Sequence, residues 1–144
     1  MSSTLIWGTS NPKGVSSKES IYLTVSDIPD MVEQIDEANR RGEHIPIHIE
    51  HKGVPIGRVV TAWEHDGELQ CVLEIKEDKL EGSFGVEFVK EGWIKDLSLG
   101  YEVCLEHSKN KSVTIKRKHL KEISIVKKGF QKRCHIHGVA PYKK

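Results

Sequence analysis

From His44 to His51 apolar and polar residues alternate without a break. Ile45, Ile47 and Ile49 fall on one side, and His44, Pro46, His48 and Glu50 on the other. That period of two predicts a half-buried strand. After Lys52-Gly53 the run VPIGRVVTAWEH leads to Asp66-Gly67, and ELQCVLEIK follows. Asp-Gly between two such runs predicts a hairpin. Upstream, SIYLTV (20–25) reads as a strand. The pattern then changes period in SDIPDMVEQIDEANRRG (26–42), where Met31, Val32, Ile35 and Ala38 form one stripe. Ser26 or Asp27 can cap this helix, Pro29 suits its first turn, and Gly42 closes it after Arg40 and Arg41. Downstream, GSFGVEFVKEGWIKD (82–96) predicts a short helix whose apolar side is Val86, Phe88, Val89 and Trp93. LSLGYEVCLEH (97–107) predicts a strand, SKNKS a turn, VTIKRKHLKEISIV (113–126) one or two strands, and KKGFQKRCHIHGV an edge strand. Residues 8–20, rich in Gly, Ser and Lys, predict a loop or flexible arm. About seven strands and one or two helices make the chain mainly β, a small barrel or sandwich.

Composition narrows this little: 144 residues, 37% apolar and 30% charged, describe one ordinary globular domain. No stretch approaches the roughly 20 apolar residues of a membrane-spanning helix, and the start lacks the pattern of a signal peptide. Three cysteines, Cys71, Cys104 and Cys134, are odd in number and widely spaced, which fits free thiols in a reducing compartment. Charge is more informative. Residues 1–108 hold 10 Lys/Arg against 20 Asp/Glu, a net of −10. Residues 109–144 hold 12 against a single acid, Glu122, a net of +11. The basic residues are interleaved with β-type apolar ones, so the basic part is expected to fold against the acidic part. The alternative is a nucleic-acid-binding barrel using residues 109–144 with Tyr101, Phe130 and Tyr142. With only 6% aromatic residues, stacking platforms for bases are few.

Three residues could carry chemistry together. His51 ends an alternating strand where the chain leaves toward an expected Lys52-Gly53 turn, Ser98 stands in Asp-Leu-Ser-Leu-Gly-Tyr, and His119 lies in KHLKEIS. A serine hydroxyl becomes a useful nucleophile when an imidazole takes its proton, and that imidazole needs a third group to fix its tautomer. A second histidine can fill that role, as can a carboxylate. His48 competes with His51 as base. Glu122 competes with His119 as third member; three residues apart in a regular strand, the two would face opposite ways. A metal reading of His44, His48, His51, Cys134, His135 and His137 is disfavoured, because H-x3-H-x2-H on a strand does not share one face and Cys-His-x-His lacks a paired C-x2-C.

Three segments, in this order, resemble the herpesvirus capsid maturation proteases (assemblins) and the related tailed-phage prohead proteases. Ile-His-Ile-Glu-His51, followed by Gly57-Arg58-Val59, is similar to the strand that ends in the family's catalytic histidine. Gly92-Trp-Ile-Lys-Asp-Leu-Ser98-Leu-Gly100-Tyr101 is similar to the phage form of the nucleophile segment. His119-Leu-Lys-Glu-Ile-Ser124-Ile-Val resembles the third segment, where the herpes enzymes place a second histidine and the phage enzymes an Asp. The likeness spans residues 44–130. It implies a barrel of about seven strands flanked by helices, residues 1–144 forming a single protease domain. It implies a serine endopeptidase that cleaves scaffold and capsid precursors during procapsid maturation, without a cofactor and with a homodimer expected. By this resemblance Ser98 is the nucleophile, His51 the base and His119 the orienter. Lys127 and Lys128 stand where two arginines help form the oxyanion hole. The implied setting is the procapsid, in the cytoplasm or nucleus of an infected cell.

Overall fold

The computed structural model describes residues 3–11, 25–107, 113–128 and 134–142. Seven strands form one sheet: β1 (Ser3–Asn11), β2 (Pro46–Ile49), β3 (Lys52–His65), β4 (Glu68–Lys76), β5 (Asp96–His107), β6 (Val113–Val126) and β7 (Ile136–Tyr142). Their spatial order is β5-β6-β2-β3-β4-β1-β7, and every pair is antiparallel except β2 with β6. The two ends of this order meet. Leu97 donates its amide to the Cys134 carbonyl at 2.7 Å, Ile136 donates to Lys95 at 2.9 Å, and Asp96 bridges His135. The sheet is therefore closed into a barrel, the arrangement that leaves fewest bare strand edges.

The alternation read in the sequence accounts for the core. Ile47, Ile56, Val59, Leu69, Cys71, Leu73, Ile75, Leu97, Ile123 and Ile125 all point into the barrel and are buried. Both predicted helices are present. α1 (Ile28–Arg40) buries Ile28, Met31, Gln34, Ile35 and Ala38. Gly42, with φ +72°, takes the left-handed position after its last turn, and Glu43 donates to the Ala38 carbonyl. Gln34 is the polar exception on the buried face. Its amide donates to the Lys118 carbonyl and its carbonyl accepts from Leu120 N–H, both within 2.9 Å, which fastens α1 to β6. α2 (Leu80–Lys90) buries Gly82, Gly85 and Val86. A Cβ at Gly82 would lie 1.9 Å from the Lys76 carbonyl oxygen, so the glycines are what let this helix lie against the barrel. Trp93, predicted on its apolar side, falls beyond the helix and is 65% exposed. Val86 is buried and Phe88 and Val89 pack against the core as expected, and glycine close packing seats α2 together with them.

The described residues form seven strands, and one of them was not expected. Residues 8–11, expected in an arm, belong to β1, where Gly8, Thr9 and Ser10 are buried. Thr9 Oγ1 contacts His137 Nε2 at 2.7 Å and Gln70 at 3.2 Å, and a Cβ on Gly8 would lie 2.3 Å from the His135 carbonyl oxygen. Small and polar residues therefore form this strand because the seam is tight. Residues 12–20, most of the strand expected over 20–25 and the SKNKS turn lie outside the described residues; Val25 opens a short 3-10 turn, Val25–Asp27.

Among the described residues, part of the charge asymmetry is met within the domain. On β6, Arg117 pairs with Asp30 at 3.0 Å, Lys118 with Asp27 at 2.7 Å and Lys121 with Glu102 at 3.5 Å. Among the described residues no helix is long and apolar enough to cross a membrane.

Candidate active site

The site lies where β5, β6 and the β2–β3 turn meet. β5 carries Ser98 directly opposite Ser124 of β6, and Gly100 opposite Glu122. These four positions point away from the isoleucines of the core. β2 runs parallel to β6 on its other side, placing Ile49 beside Ile125. Ile49 pairs with Lys52, so the turn is Glu50–His51, not the Lys52-Gly53 pair expected from sequence. Both turn residues are left-handed, with φ +53° and +60°. A two-residue hairpin of this type needs positive φ twice, and side chains other than Gly or Asn adopt it at a cost of order 1 kcal/mol each.

Three hydrogen bonds hold that turn against β6. Glu50 N–H donates to the Ile125 carbonyl at 3.1 Å, His51 N–H donates to Ser124 Oγ at 3.0 Å, and Lys127 N–H donates to the Glu50 carboxylate at 2.7 Å. The turn directs the His51 imidazole back across β6. Its Nε2 lies 2.8 Å from Ser98 Oγ, and its Nδ1 lies 2.5 Å from Glu122 Oε1. Ser124 Oγ donates to the other carboxylate oxygen, Oε2, at 2.6 Å. An ionised carboxylate can only accept, so Nδ1 carries the proton and Nε2 presents its lone pair to the serine hydroxyl. Ser98 is 5% exposed, while the His51 side chain is 41% exposed.

Sequence reasoning brought His51 and Ser98 together, and the structure places them in contact. It does not place His119 with them. Gly100 pairs with Glu122 but Tyr101 pairs with Leu120, so Lys121 is an extra residue in β6, a β-bulge. The bulge turns Leu120 and Ile123 both into the core, and leaves His119 and Glu122 both outward. The parity that set the two residues on opposite faces therefore does not apply. His119 lies opposite Glu102, some three residues or about 10 Å along the strand from Glu122, exposed beside Arg117 and Lys121. The partner of His51 is Glu122, the residue weighed second in the sequence. One signal pointed to it: Glu122 is the single acid in the basic segment 109–144.

One further expectation changes. The Lys127 amide, assigned to an oxyanion hole, is already bonded to Glu50, because the turn residue folds its carboxylate over the end of β6. Lys128 follows it, exposed. His48 sits beside Ser124 in register and does not contact Ser98 among the described residues. The histidines and cysteines once weighed as metal ligands are dispersed. His44 Nδ1 contacts Asn39 and His135 Nδ1 contacts Asp96, and among the described residues no cluster of three His, Cys, Asp or Glu side chains is disposed to hold a metal ion. Sequence reasoning missed Gly100. A Cβ there would lie 2.0 Å from Glu122 Oε1, so the carboxylate occupies the space of an absent side chain.

A closed seven-stranded barrel with two helices, bearing a serine, an imidazole and a carboxylate in one hydrogen-bonded line, has the fold of a viral protease. Solved structures of a herpesvirus protease share this fold. One is Kaposi's sarcoma-associated herpesvirus protease in complex with a hexapeptide phosphonate inhibitor, with a TM-score of 0.60 and 15% identity over 99% of this chain. The alignment covers 66% of that protein, so this chain spans just under two thirds of its length. Two more structures of the same viral protease, each with an allosteric inhibitor and one at room temperature, match with a TM-score of 0.52 and 15% identity, over 98% of this chain and 78% of theirs. No protein-family model and no curated protein sequence matches the chain.

Proposed function

We propose that the protein is a serine endopeptidase with Ser98 as nucleophile, His51 as general base and Glu122 as the group that orients His51. The observation that carries this reading is the unbroken line Ser98 Oγ–His51 Nε2, His51 Nδ1–Glu122 Oε1, at 2.8 and 2.5 Å. His51 takes the hydroxyl proton as Oγ attacks a scissile carbonyl. Glu122 keeps the ring in the tautomer that can accept that proton and stabilises the imidazolium that results. His51 then protonates the departing amine, and water repeats the cycle on the acyl-enzyme. Of the two lysines assigned to the oxyanion, Lys128 is the one whose amide we place there.

The viral-protease fold and the resemblance of the three segments support the finer reading. The substrates are scaffold and capsid precursors, cut within an assembling procapsid in an infected cell. A homodimer, implied by the same resemblance, would have an apolar face to bury on and beside α2, where Leu80, Phe84 and Trp93 are all more than half exposed. The nucleic-acid alternative draws less support, since Arg117, Lys118 and Lys121 are each paired with an acid of the same chain.

The test is labelling with a fluorophosphonate probe, with the adduct located by peptide mapping. One adduct on Ser98 is expected, absent in Ser98→Ala, strongly slowed in His51→Ala and Glu122→Gln, and unchanged in His119→Ala. A folded wild-type protein that does not label, at any protein concentration, would overturn the reading. Loss of labelling in His119→Ala equal to that in Glu122→Gln would overturn the assignment of Glu122.

A further inference from the structure

Ser124 is fully buried, yet its hydroxyl is neither a nucleophile nor a surface group. It bonds two partners from different parts of the site. It accepts the backbone N–H of His51 at 3.0 Å and donates its own proton to Glu122 Oε2 at 2.6 Å. The first bond holds the main chain of a left-handed residue that has no glycine to ease it. The second holds the oxygen of Glu122 that His51 does not use. From these observations, and resting on the serine-hydrolase reading above, we propose that Ser124 is the positioning residue of the site, one hydroxyl that sets the base and its carboxylate in register with each other.

The geometry explains what this hydroxyl adds to the two other bonds that hold the turn, since it alone also reaches the carboxylate. His51 and Glu122 come from segments 71 residues apart, and neither is fixed by its own element. The imidazole hangs from a two-residue turn, and the carboxylate stands at a bulge. A relative displacement of about 1 Å between such groups can lower a rate by about 100-fold. A single hydroxyl bonded to both removes that freedom. Because an ionised carboxylate only accepts, the Ser124 proton points at Glu122 while a lone pair of the same oxygen takes the His51 N–H, so one atom serves both partners.

The experiment compares the full chain with Ser124→Ala, Ser124→Cys and Ser124→Thr. Cysteine keeps the buried volume but bonds weakly; threonine keeps the hydroxyl. The readouts are the second-order rate of fluorophosphonate labelling at Ser98 and the far-downfield proton resonance of His51 Nδ1–H, with circular dichroism as the check on folding. Ser124→Ala and Ser124→Cys are expected to label about 10- to 100-fold more slowly and to lose the resonance, and Ser124→Thr to recover both. A purely structural role for Ser124 would lower thermal stability without moving the resonance of the folded protein. The proposal is overturned if folded Ser124→Cys labels at the wild-type rate with the resonance intact, or if Ser124→Thr is as slow as Ser124→Cys. If the wild-type chain itself fails to label, the serine-hydrolase reading falls and this one with it; wild-type labelling with an unaffected Ser124→Cys removes this one alone.

Discussion

Gly100→Ala is the substitution in which folding and chemistry separate most cleanly. The added Cβ would lie 2.0 Å from Glu122 Oε1, 2.7 Å from its Cδ and 3.1 Å from its Cγ. Such contacts need at least 3 Å, so the carboxylate has to withdraw by about 1 Å, and it is the end of a side chain that can do so. His51 Nδ1 and Ser124 Oγ now hold its two oxygens at 2.5 and 2.6 Å. Hydrogen bonds weaken beyond about 3.2 Å, so a shift of that size cannot keep both. A 1 Å misplacement costs about 100-fold, and loss of a correctly oriented carboxylate in a serine-hydrolase triad costs about 10,000-fold. The expected fall in the labelling rate at Ser98 lies between those limits. The fold should hardly notice. Alanine gains about 0.5–1 kcal/mol over glycine within a strand, which offsets part of the displaced carboxylate, and the melting temperature should move by only a few degrees, about 2–5 °C per kcal/mol at this size. The assay is the labelling rate in four proteins: wild type, Gly100→Ala, Glu122→Gln and the double variant. If Gly100 acts through Glu122, the methyl adds little once the carboxylate is gone. Labelling of Gly100→Ala at the wild-type rate would refute the reasoning. So would an equal fold-loss in the Glu122→Gln background, since the methyl would then be acting on something else.

Other perturbations have equally definite outcomes. Gln34→Ala should destabilise the fold by about 2–4 kcal/mol, because the Lys118 carbonyl and the Leu120 N–H both lose their buried partner; a change below about 0.5 kcal/mol in urea unfolding would contradict this. Glu50→Ala should release the Lys127 amide and loosen the His51 turn, slowing labelling at Ser98 about tenfold, and an unchanged rate would show that the turn is held otherwise. Burial pushes the Cys71 thiol from 9.0 up to about 12, with the Ser10 contact opposing the shift. The unfolded chain therefore releases this proton at lower pH than the folded one. The associated stability is complete below about pH 9 and declines as the pH rises toward 12. Unfolding measured across that range should show the decline, and Cys71→Ala should flatten it. In the folded protein at neutral pH, Cys71 should resist iodoacetamide until denaturant is added.

Much of the fold was legible because burial writes a period of two into the strands. Ile45, Ile47 and Ile49, and the Asp66-Gly67 turn with both φ positive, needed no tertiary knowledge. β1 was hidden because Gly8, Thr9 and Ser10 are buried by tight seam packing and hydrogen bonding, which hydropathy does not record. α2 was placed only approximately, since the glycines that seat it are silent in an apolar pattern. At the site, the pairing of His51 with Ser98 was suggested by the resemblance of their segments to a known family, and spacing alone would not have singled it out. The choice between His119 and Glu122 turned on the bulge at Lys121, a departure from ladder register that depends on which β5 residue faces which β6 residue. A local parity rule cannot contain that information.

The parallel pairing of β2 with β6 has a consequence in time. The strand that delivers the His51 turn finds its neighbour more than 70 residues later in the chain, and the nucleophile strand is closed on its open side by residues 134–136. Contacts of such long range form late and slowly, after shorter loops have closed. On a ribosome, the hairpin of β3 and β4 can assemble while β6 is still unmade, but His51 has no carboxylate to face until Glu122 has emerged. On the serine-endopeptidase reading proposed above, the site stays incomplete until the segments carrying Ser98 and Glu122 have both emerged and met the His51 turn.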